Sequence, residues 1–336
     1  MLLEGLTCLQ NELINKGVVH VKQPIRVGVS SCLLGNPVRY DGGHKRDRYI
    51  TDVLADYFNF VPVCPEVECG LPVPRETMRL VGDPEQPRLV TSKSDVDYTA
   101  KMKDFCTKKI KSLENENLCA FIFKKDSPSS GLHRVKVYGS SKQATKRGRG
   151  LFAAAFVNKF PLLPVEEEGR LHDNSLRENF IEQIFCYRRW KDFLGNQPDY
   201  KNLIVFHTRH KLQLMSHSPK HLSKMGRLVA SGKHLPQQEL VNQYQAALME
   251  ALSLKATIKK NVNVLHHIMG HFKKYITADE KAELLEIIDN YGRSITPLIV
   301  PLTLITHYVR KYEISYLQDQ SYLEPHPAEL MLRNHV

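Results

Sequence analysis

The chain has 336 residues, of which 42% are hydrophobic and 25% are charged; this excludes a disordered chain and allows two domains. Its formal net charge of +11 favours a polyanionic partner. The N-terminus lacks the basic start of an export signal. The longest apolar run, residues 295–306, is too short to span a bilayer and contains two prolines. We therefore expect a cytoplasmic protein without a membrane segment.

Short apolar runs and helical patterns alternate in the first half of the chain. The runs rich in Val, Ile and Phe lie at 25–29, 60–63 and 120–123, and the helical patterns lie at 49–58 and 95–115. Alternation of this kind is typical of an α/β domain with a mainly parallel sheet. We place this domain at residues 25–165, after an N-terminal extension of residues 1–24.

The second half is predicted to be an all-α domain over residues 166–336. Helical patterns cover 176–194, 254–275 and 277–291. The last of these begins with Thr277 and Glu280 in the spacing of a capping box. Two prolines and a run of acidic residues break the pattern at 159–173, which is why the domain boundary is placed there.

Seven cysteines are present, and an odd number in a chain without an export signal argues against a disulfide framework. Cys32 follows the first expected strand, Cys64 follows the second, and Ser127–Ser130 follow the third. Loops that leave parallel strands emerge at one edge of the sheet, where such folds bind ligands. We therefore expect the two thiols and the serine loop to meet there.

Residue types alone leave the chemistry of these thiols open. No C-x-x-C pair of a structural zinc site is present, whereas Cys64 and Cys69 have the C-x4-C spacing found in some iron–sulfur proteins. A nucleophilic cysteine would require a histidine base, for which His44 and His133 are candidates. Packing in the core is the remaining alternative.

Longer motifs add a family resemblance. "SSCLLGNPVRYDGG", "CPEVECGLPVPRE" and "KKDSPSSG" resemble the three signature loops of the thiouracil desulfidase (TudS) family, over about residues 25–160. "LMSHSPKHLSKMGRLV", "KNVNVLHHIMGHFKKY" and "YLEPHPAELMLRN" resemble the YbgA-type domain. This fused arrangement is similar to desulfidases that remove sulfur from 4-thiouridine in tRNA.

The resemblance implies a [4Fe–4S] cluster held by three cysteines, with the fourth iron free to take sulfur from the substrate. Cys32 and Cys64 match the first two ligand positions, but Ser130 stands where the family has the third cysteine. Serine is a poorer iron ligand than a thiolate. Three interpretations follow: Cys69 replaces the missing ligand, Cys119 replaces it, or the site is degenerate. We favour Cys69.

The implied chemistry is hydrolytic: the open iron polarises the thiocarbonyl sulfur, water attacks the carbon, and hydrosulfide leaves. Glu66, two residues after Cys64, is the candidate general acid and base. Ser127 and Ser129 are candidates for stabilising the oxyanion or the base. Asp41 is a candidate for orienting the substrate, and Arg75 is a candidate for contacting the substrate or pairing with Glu76 or Asp41.

Positive charge is concentrated between residues 201 and 277, a segment that contains twelve Lys or Arg residues and only two acidic residues. On a helix over 254–275 the basic side chains would form two rows opposite the apolar stripe. Such rows suit tRNA phosphates. The candidate RNA-binding residues are Arg209, Lys211, Lys220, Lys224, Lys255, Lys259, Lys260, Lys273 and Lys274.

We therefore predict an iron–sulfur-dependent tRNA 4-thiouridine desulfidase with no obligate protein partner. Two alternatives stay open. The protein could be a desulfidase of free thiouracil or thiouridine, or a catalytically degenerate tRNA-binding protein, as Ser130 would suggest.

Overall fold

A computed structural model of the chain describes residues 24–139, 143–196 and 198–336. The expected N-terminal extension, with Cys8, lies outside the described residues except for Pro24. In chain order the strands are β1 (Ile25–Ser30), β2 (Phe58–Val63), β3 (Met78–Val81), β4 (Arg88–Thr91), β5 (Ala120–Phe123), β6 (Val135–Tyr138), β7 (Ala144–Gly148) and β8 (Val165–Glu167).

Two sheets form the first half of the molecule. One sheet has the order β2-β1-β5-β8 and is parallel throughout, which confirms the predicted fold class. The other has the order β4-β3-β6-β7 and is mixed, since β3 pairs parallel with β6 while the two outer pairs are antiparallel. This second sheet was not predicted from the sequence.

Helices cover the parallel sheet and then continue into the second half. They are α1 (Arg48–Asp52), α2 (Pro65–Glu68), α3 (Thr99–Glu114), α4 (Leu151–Lys159), α5 (Asn174–Gly195), α6 (Tyr200–His217), α7 (Pro219–Ser231), α8 (Gln237–Ser253), α9 (Ile258–His271), α10 (Ala278–Gly292), α11 (Ile299–Lys311) and α12 (Ser315–Gln318). No helix in the described part of the chain is both long enough and apolar enough to cross a membrane.

Helix α5 joins the two halves. Its first part packs Phe180, Ile181 and Ile184 against the parallel sheet. Its second part places Trp190 in the helical core, where the indole stacks on Tyr244 with the ring centroids 5.2 Å apart. Strand β8 also crosses the expected boundary between residues 165 and 166, because it pairs with β5 as the edge of the sheet. The α/β half therefore extends at least to the end of β8.

Two predicted helices are shorter in the structure. The pattern at 49–58 divides into α1 and a 3-10 turn, because β2 already begins at Phe58. The pattern at 254–275 forms α9 alone, since the Thr257 side chain accepts a hydrogen bond from the Lys260 N–H and begins the helix there. Lys255 therefore precedes the helix, and the prediction of basic rows along one continuous helix over 254–275 is wrong. The capping box of Thr277 and Glu280 is confirmed.

A buried group of charges holds α5 against the C-terminal segment. The carboxylate of Glu178 lies 3.4 Å from Arg333 Nε and 3.5 Å from His335 Nε2. Burial raises the pKa of Glu178 to about 7, the neighbouring Glu182 adds to this effect, and Arg333 opposes it. The native state therefore holds a proton on Glu178 that the unfolded chain loses near its ordinary value of 4.5.

Glu178→Gln is expected to gain stability relative to the wild type as the pH rises. Since the native state binds more protons between pH 4.5 and 7, wild-type stability falls across this window, and glutamine removes that loss. The gain at pH 8 relative to pH 4 should be roughly 1–3 kcal/mol. Urea unfolding of both proteins at the two pH values measures it. A difference that does not change with pH would contradict the assignment.

Candidate active site

A cavity of about 360 Å³ opens at the carboxyl edge of the parallel sheet. Three loops line it, those that follow β1, β2 and β5. They contribute Cys32, Cys64 and the segment Ser127–Ser130 to the same lining. Parallel strands end at one edge, which is why residues about a hundred positions apart meet there.

Cys32 lies in a 3-10 turn, Ser31–Leu34, directly after β1. Gly35 ends this turn with a φ of 95°, a left-handed conformation that glycine adopts without strain. The Cys32 carbonyl accepts hydrogen bonds from the N–H groups of Gly35, at 3.3 Å, and Lys45, at 2.9 Å. The turn therefore holds the thiol at the strand end, where it is 9% exposed.

Cys64 directly follows β2 and caps the short helix α2. Its backbone N–H donates to Glu68 Oε1 at 2.7 Å, and its thiol lies 3.9 Å from the carbonyl oxygen of Val38. Pro65 occupies the first position of the helix, where a missing N–H has no cost. The end of β2 and the beginning of α2 thus fix the second thiol in the cavity wall.

Burial disfavours the charged form of both thiols in this environment. Burial raises the pKa of Cys32 to about 11; Lys124 and Arg39 oppose this effect, and the nearby Cys64 adds to it. Burial also raises the pKa of Cys64. A metal ion that binds here would have to displace the thiol protons, and its positive charge would then stabilise the two thiolates.

Glu66 is the centre of a polar network in the same wall. Arg75 Nε donates to Glu66 Oε2 at 3.0 Å, and the Ser129 hydroxyl donates to Glu66 Oε1 at 2.7 Å. The oxygens of Ser129 and Ser127 are 3.0 Å apart. The Arg75 side chain is 6% exposed and that of Glu66 is 15% exposed, so this is a buried ion pair. It holds the carboxylate in one orientation facing the cavity.

The serine loop is fixed by its backbone. The N–H groups of Phe152 and Leu151, in the first turn of α4, donate to the carbonyls of Ser129 and Pro128 at 2.9 and 3.2 Å. Gly150 lies against the loop so closely that a Cβ there would be 2.5 Å from the Ser129 carbonyl carbon and oxygen. The loop position therefore depends on the absence of a side chain at residue 150.

Gly150→Ala is expected to destabilise the protein by about 1–3 kcal/mol, since the added methyl overlaps backbone atoms that cannot move without breaking the loop contacts. Gly270→Ala is the matched control. A Cβ at Gly270, within α9, meets nothing within 4 Å, and alanine favours a helix. Thermal unfolding compares the two variants. Equal stability of the two would contradict the argument.

Other candidate residues lie outside the cavity lining. Asp41 is exposed, and its carboxylate accepts a hydrogen bond from the Gly43 N–H at 3.0 Å, which shapes the turn. The Cys69 thiol donates to the Glu66 carbonyl at 3.2 Å and packs against the core beside α3. Cys119 is 1% exposed at the opposite end of β5. The lining of this cavity therefore does not include Cys69, Cys119 or Asp41.

The candidate histidine bases are also outside the lining. His133 lies 3.9 Å from Glu166, and the ring nitrogen of His44 accepts from the Arg46 N–H. Within the described residues, no three His, Cys, Asp or Glu side chains are arranged as a metal site. Besides the two thiols, the possible metal-binding side chains that line this cavity therefore carry hydroxyl or carboxylate oxygens.

Two cavity residues were missed or misassigned from the sequence. Arg75 was expected to contact substrate or to pair with Glu76 or Asp41, but it pairs with Glu66. Lys124 was not identified. Its ammonium lies 2.5 Å from Glu168, and its backbone N–H donates to Ser30 Oγ. The position of Lys124 directly after β5 was the available signal, because residues there face the ligand edge.

The candidate RNA-binding residues are mostly exposed. Lys211 and Lys260 are half-buried, and Lys260 Nζ donates to the carbonyls of His217, at 2.6 Å, and Lys255. Arg209 lies 3.6 Å from Asp319, and Lys224 lies 3.9 Å from Glu250. Among these candidates, the exposed lysines that form no ion pair with the described residues are Lys220, Lys255, Lys259, Lys273 and Lys274.

Comparison with known proteins agrees with this two-part organisation. Residues 27–168 match the family model of 2-thiouracil desulfurase, and residues 211–327 match that of a protein of unknown function, DUF1722. The uncharacterized protein YbgA of Escherichia coli (strain K12) is 34% identical over 133 residues, which cover 39% of this chain and 79% of YbgA.

A solved structure of the [4Fe-4S]-dependent thiouracil desulfidase TudS is also similar. It is 29% identical, and the match covers 44% of this chain and 94% of that one, with a TM-score of 0.37. The family assignment follows from the YbgA match and the two family models. The chain belongs to the YbgA family and joins a thiouracil desulfidase (TudS) domain to a YbgA-type, DUF1722 domain.

Proposed function

We propose that the protein is an iron–sulfur-dependent desulfidase that converts 4-thiouridine in tRNA to uridine. The observation that carries the proposal is the convergence of two buried thiols, Cys32 and Cys64, with the Glu66–Ser129 hydrogen bond in one cavity of a desulfurase-family domain.

The donor set supports a [4Fe–4S] cluster in this cavity. Cys32 and Cys64 would hold it, because thiolates are the ligands that such clusters require. When bound, the cluster would supply a Lewis-acidic iron for the soft sulfur of a thiocarbonyl. The wall also offers Lys124 and Arg39, which oppose the effect of burial on the Cys32 thiol. These cations favour the thiolate form that binds iron.

The protein residues would move the protons of the hydrolysis. Glu66 is placed to accept the proton of the attacking water and to return it later. Arg75 holds Oε2 of this carboxylate, and the Ser129 hydroxyl holds Oε1. Ser127 Oγ accepts hydrogen bonds from the N–H groups of Ser129 and Ser130, at 3.3 and 3.1 Å. Since the Ser129 hydroxyl donates to Glu66, the Ser127 hydroxyl donates to Ser129 Oγ. This chain of hydroxyls orients the base.

Polynucleotide binding would come from the helical half. Its exposed, unpaired lysines suit phosphate contacts that position an RNA without reading its sequence. Tyr40 is 41% exposed and is part of the cavity lining, with the Arg39 guanidinium 5.3 Å from its ring centroid. An exposed aromatic ring there would stack on a base that has been unstacked from the RNA.

Absorbance of tRNA tests this proposal. Protein reconstituted with iron and sulfide without oxygen is incubated with thiolated tRNA, and the near-ultraviolet band of 4-thiouridine is followed. We expect the band to disappear with release of hydrosulfide. A band that persists although the protein carries iron would contradict the proposal.

A second candidate is a desulfidase of free thiouracil, which the name of the matching family favours. The same incubation with 2-thiouracil distinguishes it, since this candidate predicts turnover of the free base and no change in tRNA. Tight tRNA binding without turnover of either substrate would instead indicate a degenerate enzyme.

A further inference from the structure

A second cavity, of about 540 Å³, lies in the helical half of the molecule. Its wall is formed by α5, the beginning of α9, the segment that joins α10 to α11, and the C-terminal residues. Among the described residues, none lines both this cavity and the cavity of Cys32 and Cys64. Its volume is within the range of sites that bind small organic molecules. The desulfidase function proposed above makes no use of it.

Three side chains in the wall of the second cavity carry a buried polar atom that forms no hydrogen bond with the described residues. These atoms are Asn179 Oδ1, Thr296 Oγ1 and Arg333 Nε. Arg333 is 6% exposed, and its Nε lies 3.4 Å from the Glu178 carboxylate without the geometry of a hydrogen bond. Buried polar atoms without a partner cost free energy. Three of them around one cavity indicate a ligand that supplies the missing partners.

The beginning of α9 provides an anion site in the same wall. Thr257, Ile258 and Lys259 all line the second cavity. The Thr257 hydroxyl accepts the N–H of Lys260 at 3.4 Å, whereas the N–H groups of Ile258 and Lys259 have no acceptor within the helix. Free N–H groups at the positive end of a helix dipole bind phosphate groups.

The unpaired side-chain charge of the second cavity is positive. Lys255 and Lys259 line it and form no ion pair with the described residues. The two acids of the wall, in contrast, already have partners. Glu178 belongs to the buried group of charges on α5, and Glu182 Oε2 lies 3.4 Å from Nε2 of the buried His217. An anionic ligand would therefore meet positive charge that the protein itself does not neutralise.

We propose that the second cavity binds a small molecule that carries a phosphate group and hydroxyl groups, as a sugar phosphate or a nucleotide does. The phosphate lies at the beginning of α9, where it accepts hydrogen bonds from the free N–H groups and from Lys255 and Lys259. The rest of the ligand supplies the missing partners of Asn179, Thr296 and Arg333. The proposal does not depend on the desulfidase function.

Calorimetric titration of the full chain with ribose 5-phosphate, ribose and inorganic phosphate tests the proposal. We expect ribose 5-phosphate to bind more tightly than inorganic phosphate, and ribose not to bind at millimolar concentration. Thr296→Val keeps the shape of the side chain and removes only the hydroxyl that forms no hydrogen bond. It should therefore weaken ribose 5-phosphate binding about three- to tenfold. Thermal unfolding should show no loss of stability in this variant.

Lys259→Ala is expected to weaken binding of ribose 5-phosphate about tenfold, because a charged donor to the phosphate is lost. Lys201→Ala is the matched control. Lys201 is likewise the second residue of a long helix, is exposed and forms no ion pair with the described residues, but it does not line the second cavity. We expect its affinity for ribose 5-phosphate to equal that of the wild type.

Failure of both ribose 5-phosphate and inorganic phosphate to bind would overturn the proposal. Equal losses of affinity in Lys259→Ala and Lys201→Ala would also overturn it, since net charge would then explain the binding. So would an unchanged affinity in Thr296→Val. If Lys259→Ala weakened binding of tRNA but not of ribose 5-phosphate, the lysine would serve the RNA backbone, and the proposal would be wrong.

Discussion

Glu66→Gln is expected to lower the rate of desulfuration by about 10²–10⁴-fold, the range typical of a general acid or base, while the iron content stays unchanged. Glutamine keeps a carbonyl oxygen for the Ser129 hydroxyl, but it cannot take the proton of the attacking water. Single-turnover loss of the thiouridine band measures the rate. Stability should also fall, because Arg75 loses the partner of a buried ion pair.

Glu68→Gln is the matched control. Glu68 lies on the same short helix, and its Oε1 accepts the Cys64 N–H, a hydrogen bond that glutamine retains. Its other oxygen pairs with Lys109, outside the cavity lining. We expect its rate to stay close to that of the wild type. If Glu66→Gln and Glu68→Gln were equally active, Glu66 would not be the proton acceptor.

Replacing Lys259, Lys273 and Lys274 together by alanine should weaken tRNA binding on the order of 10²-fold at physiological salt. All three are exposed and form no ion pair with the described residues. If each contacts one phosphate, the slope of log affinity against log salt should fall by about 2–3. Binding of tRNA at several salt concentrations measures both quantities, and turnover of free thiouracil should not change.

The lysines of α3 provide the control for charge alone. Lys103, Lys108 and Lys111 are exposed on the α/β half, away from the proposed RNA surface. Their combined replacement by alanine removes the same charge. A similar loss of affinity in this control would show that net charge, and not the helical half, determines tRNA binding.

The ends of the parallel strands, and with them the sheet edge where the cavity lies, could be predicted because these strands are short, apolar and followed by turn residues. The fit was closest for β5, whose predicted range of 120–123 agrees with the structure. The second sheet was missed because its strands carry little pattern. The first four residues of β7, for example, are all exposed. Such a strand is specified by its partners and not by its own periodicity.

The sequence could not show which side chains lie beside the thiols of Cys32 and Cys64. Cys69 is five residues from Cys64, but α2 turns its thiol toward α3, a direction that spacing does not reveal. The pairing of Arg75 with Glu66 likewise depends on how the loop after α2 folds back onto that helix. The start of α9 depends on the Thr257 cap. The regular spacing of the lysines continues before this residue, so it did not indicate where the helix begins.

Iron content after reconstitution without oxygen, in the wild type and in a variant carrying both Cys32→Ala and Cys64→Ala, shows whether these two thiols hold a cluster. We expect about four iron atoms per chain in the wild type and none above background in the variant. Iron retained equally by both proteins would contradict the claim that these two thiols hold the cluster.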